Sequence, residues 1–402
     1  MSNLLEKASI ILTPTAYDNS KVLCVKPSDG SGDFDFSRNS AATRVNAQGL
    51  VENVQSLSSN LVTNGDFATD SNWNKNSNWS IGGNVANCDG TSNGDINQGT
   101  TLATIGKSYE ISYEVVSISQ GEFFFKFGGV NGTLRNSIGV YTETIQAINT
   151  NRIALDSSNN AIGSVTNISV KEVIDNTNLP RINYEGGCGS WLFEPQSTNL
   201  IEYSNDYADA YWIKSTSGSG IAPIVTSNYA ISPDGTQNAD RIQFDATTSG
   251  SNSDRSRIRT TLTLSDVTDY TFSFYAKSTD GTDQKISILF DNSQISVKTI
   301  TSEWKRFEAT SQQTGTSSIC GLDLRGGNAS TSDILVYGIQ VEQLSYATSY
   351  IPTDGSTVTR NQDLCTNGAT GTGLINSTEG VLYAEIAANS NDLTYRIFSI
   401  ND

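Results

Sequence analysis

Tyr109-Glu-Ile-Ser-Tyr-Glu-Val-Val116 sets Tyr109, Ile111, Tyr113 and Val115 against Glu110, Ser112 and Glu114. Successive side chains of an extended chain point to opposite faces, so this period of two predicts a half-buried β-strand. Tyr270-Thr-Phe-Ser-Phe-Tyr-Ala-Lys277 repeats the design through Tyr270, Phe272, Phe274 and Ala276. Two further pairs flank it. Asn60-Leu-Val leads to Trp73 as Asn199-Leu-Ile leads to Trp212, and Asn167-Ile-Ser-Val-Lys-Glu172 is answered by Gly338-Ile-Gln-Val-Glu-Gln343. The order is the same in both copies, while the offset grows from 139 to 161 to 171 residues. A diverged tandem module follows, with longer loops in the second copy.

The rest of the composition agrees with strands. The 402 residues include 34 Gly, and mean hydropathy is −0.32. Short strands and turns suit such a chain better than helices, and no long segment shows a 3.6-residue apolar period. The net charge of −17 argues against nucleic acid, whose phosphates this surface would repel. Arg255, Arg257 and Arg259 form the nearest thing to a basic stripe and read as one solvated strand face. Histidine is absent, which removes the commonest general acid–base group. Cys24, Cys88, Cys188, Cys320 and Cys365 are odd in number and lack zinc spacing, so they read as isolated, buried thiols of a protein assembled in a reducing cytoplasm. The first residues lack the basic-then-apolar design of a signal peptide, and no apolar run matches a membrane span.

The pass along the chain predicts six regions. Residues 1–58 form a small N-terminal region with strands at Ser9–Thr13, Lys21–Val25 and Asp33–Ser37. Module one spans 59–173, with Tyr109–Val116 and Glu122-Phe-Phe-Phe-Lys-Phe-Gly128 as separate strands, the latter covered on both faces. Residues 174–198 form a strand-like bridge. Module two spans 199–344. Residues 345–373 read as a linker, broken by Pro352 and Asp354-Gly355. From residue 374, Gly380–Ile386 and Tyr395–Ile400 read as opening strands of a further sandwich, which about thirty residues cannot close. The natural protein is therefore expected to continue beyond Asp402. The fold class is all-β, with tandem antiparallel sandwiches and a small β anchoring region.

Asn60-Leu-Val-Thr-Asn-Gly-Asp-Phe67 with Trp73 resembles the start of family 4/9 carbohydrate-binding modules, and Asn199-Leu-Ile with Trp212 and Trp304 is similar. The resemblance implies galactose-binding-like jelly rolls. Phe36-Ser-Arg-Asn-Ser-Ala-Ala-Thr-Arg-Val-Asn-Ala-Gln-Gly-Leu-Val-Glu52 is similar to a segment near the N-terminus of bacteriophage tail and virion-appendage proteins. So are Pro180-Arg-Ile-Asn-Tyr-Glu-Gly-Gly-Cys188, continued by Leu192-Phe-Glu-Pro-Gln-Ser-Thr-Asn-Leu200, and Ala347-Thr-Ser-Tyr-Ile-Pro-Thr353. In such proteins the first two segments lie close together, which implies that module one is inserted between two strands of one anchoring unit. The tail beyond residue 373 resembles a concanavalin A/laminin G-like lectin.

An aromatic ring can stack on the apolar C–H face of a sugar. Trp73, Trp212 and Trp304 hold positions that predict core, whereas Trp79 and Tyr211 are the candidates for an exposed carbohydrate platform. The resemblance also implies a structural Ca²⁺ near the first strand. Asn64, Asp66 and Glu172 are the ligand candidates in module one, and Asn205, Asp206 and Glu342 in module two. No Gly-Gly pair has the sequence of a phosphate loop, and no segment resembles a catalytic domain. The implied function is a non-enzymatic component of a phage tail or head fibre, located in the virion after synthesis in the host cytoplasm. Its partners would be capsid or tail proteins, further copies in a homotrimer, and host surface glycan. No cofactor is required beyond the possible Ca²⁺. The alternatives are a purely structural virion protein, or the glycan-binding part of an adhesin or a secreted polysaccharide-degrading enzyme.

Overall fold

The computed structural model describes residues 6–99, 102–247, 250–369, 373–375, 381 and 383–387. Every named regular element among them is a β-strand, and no described helix is long and apolar enough to cross a membrane. The chain divides into two compact units. One comprises residues 55–175 with 235–237, and the other comprises 1–54, 176–234 and 238–402.

The larger unit contains module two as two five-stranded antiparallel layers. One layer runs Ile213–Ser217, Arg255–Thr263, Ser317–Arg325, Gln284–Phe290, Ser293–Ile300. The other runs Ile221–Ile231, Gln237–Asp245, Thr331–Glu342, Asp269–Ser278, Lys305–Gln312. Alternation drives Phe272, Phe274, Ile258, Ile288, Leu322, Val336 and Trp212 into the space between them.

The smaller unit has the same strand order but fewer breaks. Ser108–Phe127 and Ile153–Asp175 are single strands of 20 and 23 residues. They pair along their length through several register shifts. Each strand serves both layers by bending at these bulges. The separate strands expected at 109–116 and 122–128 are therefore one element. Phe123, Phe125 and Phe127 are buried, whereas Phe124 is only half-buried, so one face of this segment is covered and not both.

The two copies share their hydrogen bonds as well as their order. Asn60 Oδ1 accepts from Val62 N (3.1 Å) and Val170 N (3.0 Å). Asn199 Oδ1 accepts from Ile201 N (3.1 Å) and Val341 N (3.2 Å). Trp73 Nε1 donates to Asn64 O (2.9 Å), and Trp212 Nε1 to Tyr203 O (2.8 Å). The Tyr109 and Tyr270 hydroxyls each accept from the backbone N–H five residues upstream, at 2.8 Å. These bonds are the physical content of the sequence repeat: a buried polar atom must find a partner, and in each copy the same spacing supplies it.

The short N-terminal strands belong to the larger unit. Tyr17–Asp18, Lys21–Val22, Phe34–Ser37 and Leu364–Thr366 form one sheet. Ser9–Thr13 provides an isolated bridge, Ile11 to Lys26, in place of the expected strand. The supposed linker is partly structural: Val358–Arg360 pairs with Ser197–Asn199, and Thr348, Tyr350, Ile351 and Asp363 are buried. Of the strands expected after residue 380, Val381 and residues 383–386 are exposed and lie outside any strand. Gly380, Leu382 and Tyr395–Ile400 lie outside the described residues. Cys24, Cys88 and Cys320 are buried and unpaired as expected, but Cys188 is exposed in its glycine-rich turn.

At the heart of this unit Arg38, Arg181, Arg360, Glu194 and Asp363 are buried, with side-chain exposures of 0–2%. Arg181 pairs with Glu194 (2.8 Å) and Asp363, and Arg38 pairs with Asp363 (3.2 Å). Ser349 donates N–H and Oγ–H to Glu194 at 2.8 and 2.7 Å. Burial alone would raise the Glu194 pKa, but the charges of Arg181 and Arg360 and the Ser349 bonds outweigh it and hold it at about 2 against an ordinary 4.5. An acid with a depressed folded-state pKa adds stability above its ordinary pKa and loses it as pH falls through the folded value. Chemical denaturation should therefore show stability declining between about pH 4.5 and about pH 2. Glu194→Gln should flatten that decline and cost about 3–5 kcal/mol at pH 7 by leaving buried guanidinium charge uncompensated.

Candidate functional site

The site that the fold leaves open is the outer face of the module-one layer formed by Asn74–Lys75, Asp95–Gln98, residues 153–158, residues 122–127 and Val130–Asn131. Ile96, Leu155 and Phe125 point inward from three adjacent strands, so their neighbours must point out. Register then sets Phe124 opposite Asp156, and Asp156 opposite Asp95. Lys126 lies opposite Asn131, and Asn97 opposite Asn74. The Lys126 ammonium pairs with Asp156 and stands 5.0 Å from the Phe124 ring centre. Arg152 pairs with Asp95 at 2.5 Å. Asn76, Asp95, Lys126, Asn131, Arg152 and Asp156 line a cavity of about 560 Å³. A half-exposed ring beside two ion pairs and several amides can stack on one face of a small polar molecule while exchanging hydrogen bonds around its rim.

None of these residues was an expected site. The signal was present in Phe123-Phe124-Phe125: once alternate phenylalanines are buried, the middle one faces out. Of the two expected platforms, Trp79 lies in the core and Tyr211 is half-buried. Trp79 is 5% exposed, donates Nε1–H to Gly94 O (2.9 Å) and packs against Phe123. Tyr211 is half-buried, its ring held edge-on to Trp212 and tilted against Tyr203. Trp73 and Trp212 are core, but Trp304 is only half-buried, donating Nε1–H to Ile231 O (3.2 Å).

Each expected calcium ligand holds a protein hydrogen bond or ion pair of its own. No group of three acidic, histidine or cysteine side chains suited to a metal ion occurs among the described residues. Asn64 clamps its own loop through Thr69 O and Ser71 O, Asp66 accepts from Ala68 N, and Glu172 pairs with Lys107. Asn205 accepts from Gly338 N and Asp206 from Ala208 N, while buried Glu342 accepts from Ser197 and Thr348. In module two the loop holds a cation of its own. Lys214 Nζ donates to Ala208 O (3.0 Å) and Asp209 O (2.9 Å). Burial lowers the Lys214 pKa, and the charges of Asp206, Asp209 and Asp240 work against that. Lys75 contacts Asp70 at the matching place in module one.

A second recess of about 370 Å³ lies in the larger unit, between Thr43–Val45, Asn183, Glu194, Tyr275, Arg306 and residues 347–350. Arg44 there is committed to Glu52 and the Tyr17 hydroxyl, and Glu194 to the buried cluster, so scaffold contacts occupy these two charges.

No protein-family model and no curated protein matches the sequence. Among solved structures, the chain is similar to the CBM22-1 xylan-binding domain from Paenibacillus barcinonensis Xyn10C, with 13% identity over 38% of this chain and 94% of that one, at a TM-score of 0.27. The N-terminal CBM22-1–CBM22-2 tandem of the same protein gives 11% identity, 72% and 98% coverage, and 0.26. The enzymatically active domain of bacteriophage CBA120 tailspike protein 4 gives 11% identity, 36% and 21% coverage, and 0.26. Likenesses at this level say nothing of ligand or role.

Lys214→Ala should lower stability by about 1–3 kcal/mol in urea unfolding, because it strips a charged donor from two backbone acceptors. Millimolar calcium should leave the wild-type unfolding midpoint unchanged; a rise would show that the loop takes an ion after all.

Proposed function

We propose that the chain is a subunit of a bacteriophage virion appendage, a tail or head fibre, whose inserted sandwich binds host surface glycan through the Phe124 face. The observation that carries this reading is the buried cluster. Arg38, Arg181, Glu194 and Ser349 come from all three segments that resemble tail and appendage proteins; the last three bond to one another, and Arg38 joins them through Asp363. The inserted module meanwhile keeps an open face with a ring, two ion pairs and amides, a chemistry suited to a polyhydroxylated ligand. One such shallow site binds weakly, and several copies on a particle multiply the effect. On this reading the partners are capsid or tail proteins, the assembly is a homotrimer, the protein resides in the virion after synthesis in the host cytoplasm, and it performs no catalysis and needs no cofactor.

A purely structural virion role is the second reading. It is favoured by the position of Lys126 over the Phe124 ring, which the ammonium must leave before a sugar can stack. The adhesin and secreted-enzyme readings have no comparable observation behind them.

On a glycan array the intact chain should bind at least one glycan above background, and Phe124→Ala should weaken that binding about tenfold, equivalent to about 1.4 kcal/mol. Binding by neither protein would favour the structural role. Gold-labelled antibody should decorate the tail or capsid of particles, and bare particles would sink the appendage assignment.

A further inference from the structure

Module two presents the matching sheet face with different chemistry. Arg255, Arg257 and Arg259 alternate with buried Ser256, Ile258 and Thr260, so the three guanidinium groups share the outer side at a repeat of about 7 Å. Arg325 lies opposite Arg255, Asp323 opposite Arg257, and Ser287 opposite Asp323. Lys285 stands two residues before Ser287, on the same side. Five cations and one carboxylate give this face a local charge of +4 on a chain whose total is −17.

Single bonds aim the arginines and leave much of each guanidinium available. Arg255 Nε donates to Asn252 O (3.1 Å), Arg257 Nη2 to Thr216 O (3.3 Å), Arg259 Nε to Ser215 Oγ (3.0 Å), and Arg325 Nε to Asp323 Oδ2 (2.8 Å). Arg257 Nε, Arg325 Nη2 and Asp323 Oδ1 are buried without a protein partner. Burial lowers the Arg257 pKa; Asp323 opposes this, and the like charges of Arg255, Arg259 and Arg325 add to it. An anion laid across the row would relieve that crowding and meet planar donors suited to carboxylate, sulfate or phosphate.

We propose that this face of module two binds an anionic polysaccharide, a single extended chain carrying acidic groups at regular intervals. Nucleic acid fits less well. Single strands are held largely by stacking on aromatic rings. The five strands contain one aromatic residue, Phe290, and it is in the core. The site is separate from the Phe124 face and does not depend on it.

Affinity electrophoresis of the intact chain tests this, with polygalacturonate, dextran sulfate or neutral dextran in the gel. One or both polyanions should retard the protein, and neutral dextran should not. Retardation by polygalacturonate alone assigns carboxylate, and by dextran sulfate alone assigns sulfate or phosphate. Arg255→Gln with Arg259→Gln, which spares the Arg325–Asp323 pair, should weaken binding at least about tenfold. Lys285→Gln, at an exposed position, should act in the same direction if the double variant fails to fold, and Phe124→Ala should leave this binding intact. Absence of retardation by either polyanion, equal retardation of the variants, or tighter binding of a single-stranded oligonucleotide than of both glycans would overturn the proposal.

Discussion

Three arginines and two carboxylates buried together hold the larger unit in register. Taking such groups from water costs several kcal/mol each, and their mutual attraction returns this only with good geometry and complete hydrogen bonding. Here the geometry draws on segments far apart in sequence: Arg38 near the N-terminus, Arg181 and Glu194 after the inserted module, and Arg360 and Asp363 after module two. The cluster has one more positive charge than negative, and backbone carbonyls of Ser40, Thr43, Leu179 and Pro195 take up part of the excess of donors. A register error in any one segment strands a charge in the interior. The cluster therefore acts more as a specification of which strands meet than as a source of net stability.

Outside that cluster the two sandwiches follow a simpler rule. The inward side of each strand is set by packing, and the outward side is free to change. Ile96, Phe125 and Leu155 in one module and Ile258, Ile288 and Leu322 in the other do the same work between the layers. Beside them the outward residues have diverged, with Asp95 and Phe124 in one copy where register places Arg257 and Ser287 in the other. Surface chemistry is thus a property of half the positions on five strands, which is how one fold can carry different surfaces.

Much of this was legible in the sequence. The alternation at Tyr109 and Tyr270, and the spacing from Asn60 to Trp73 and from Asn199 to Trp212, identified strands and repeat because local hydrogen bonds fix those spacings. The fused strands were not legible. Bulges let a chain pass from layer to layer without a turn, so the Gly and Ser residues near 117–121 read as loop. Residues 345–373 looked like a linker because the partners of Val358–Arg360 and Leu364–Thr366, Ser197–Asn199 and Phe34–Ser37, are remote in sequence. Phe124 was hidden in a run of aromatics that read as uniformly buried. Trp79 was offered to a ligand because nothing nearby in sequence discloses that Gly94 O receives its indole N–H.

The inserted module begins and ends on one antiparallel pairing, Ser56–Leu57 with Val173–Asp175. Its entry and exit therefore lie about 5 Å apart, no wider than an ordinary hairpin would leave. Genetic crossover at those two points can exchange the whole sandwich for another with neighbouring termini, while the recipient keeps its own folding instructions. Inheritance of a new surface in such a lineage becomes a matter of splicing, and need not wait on stepwise change at individual codons.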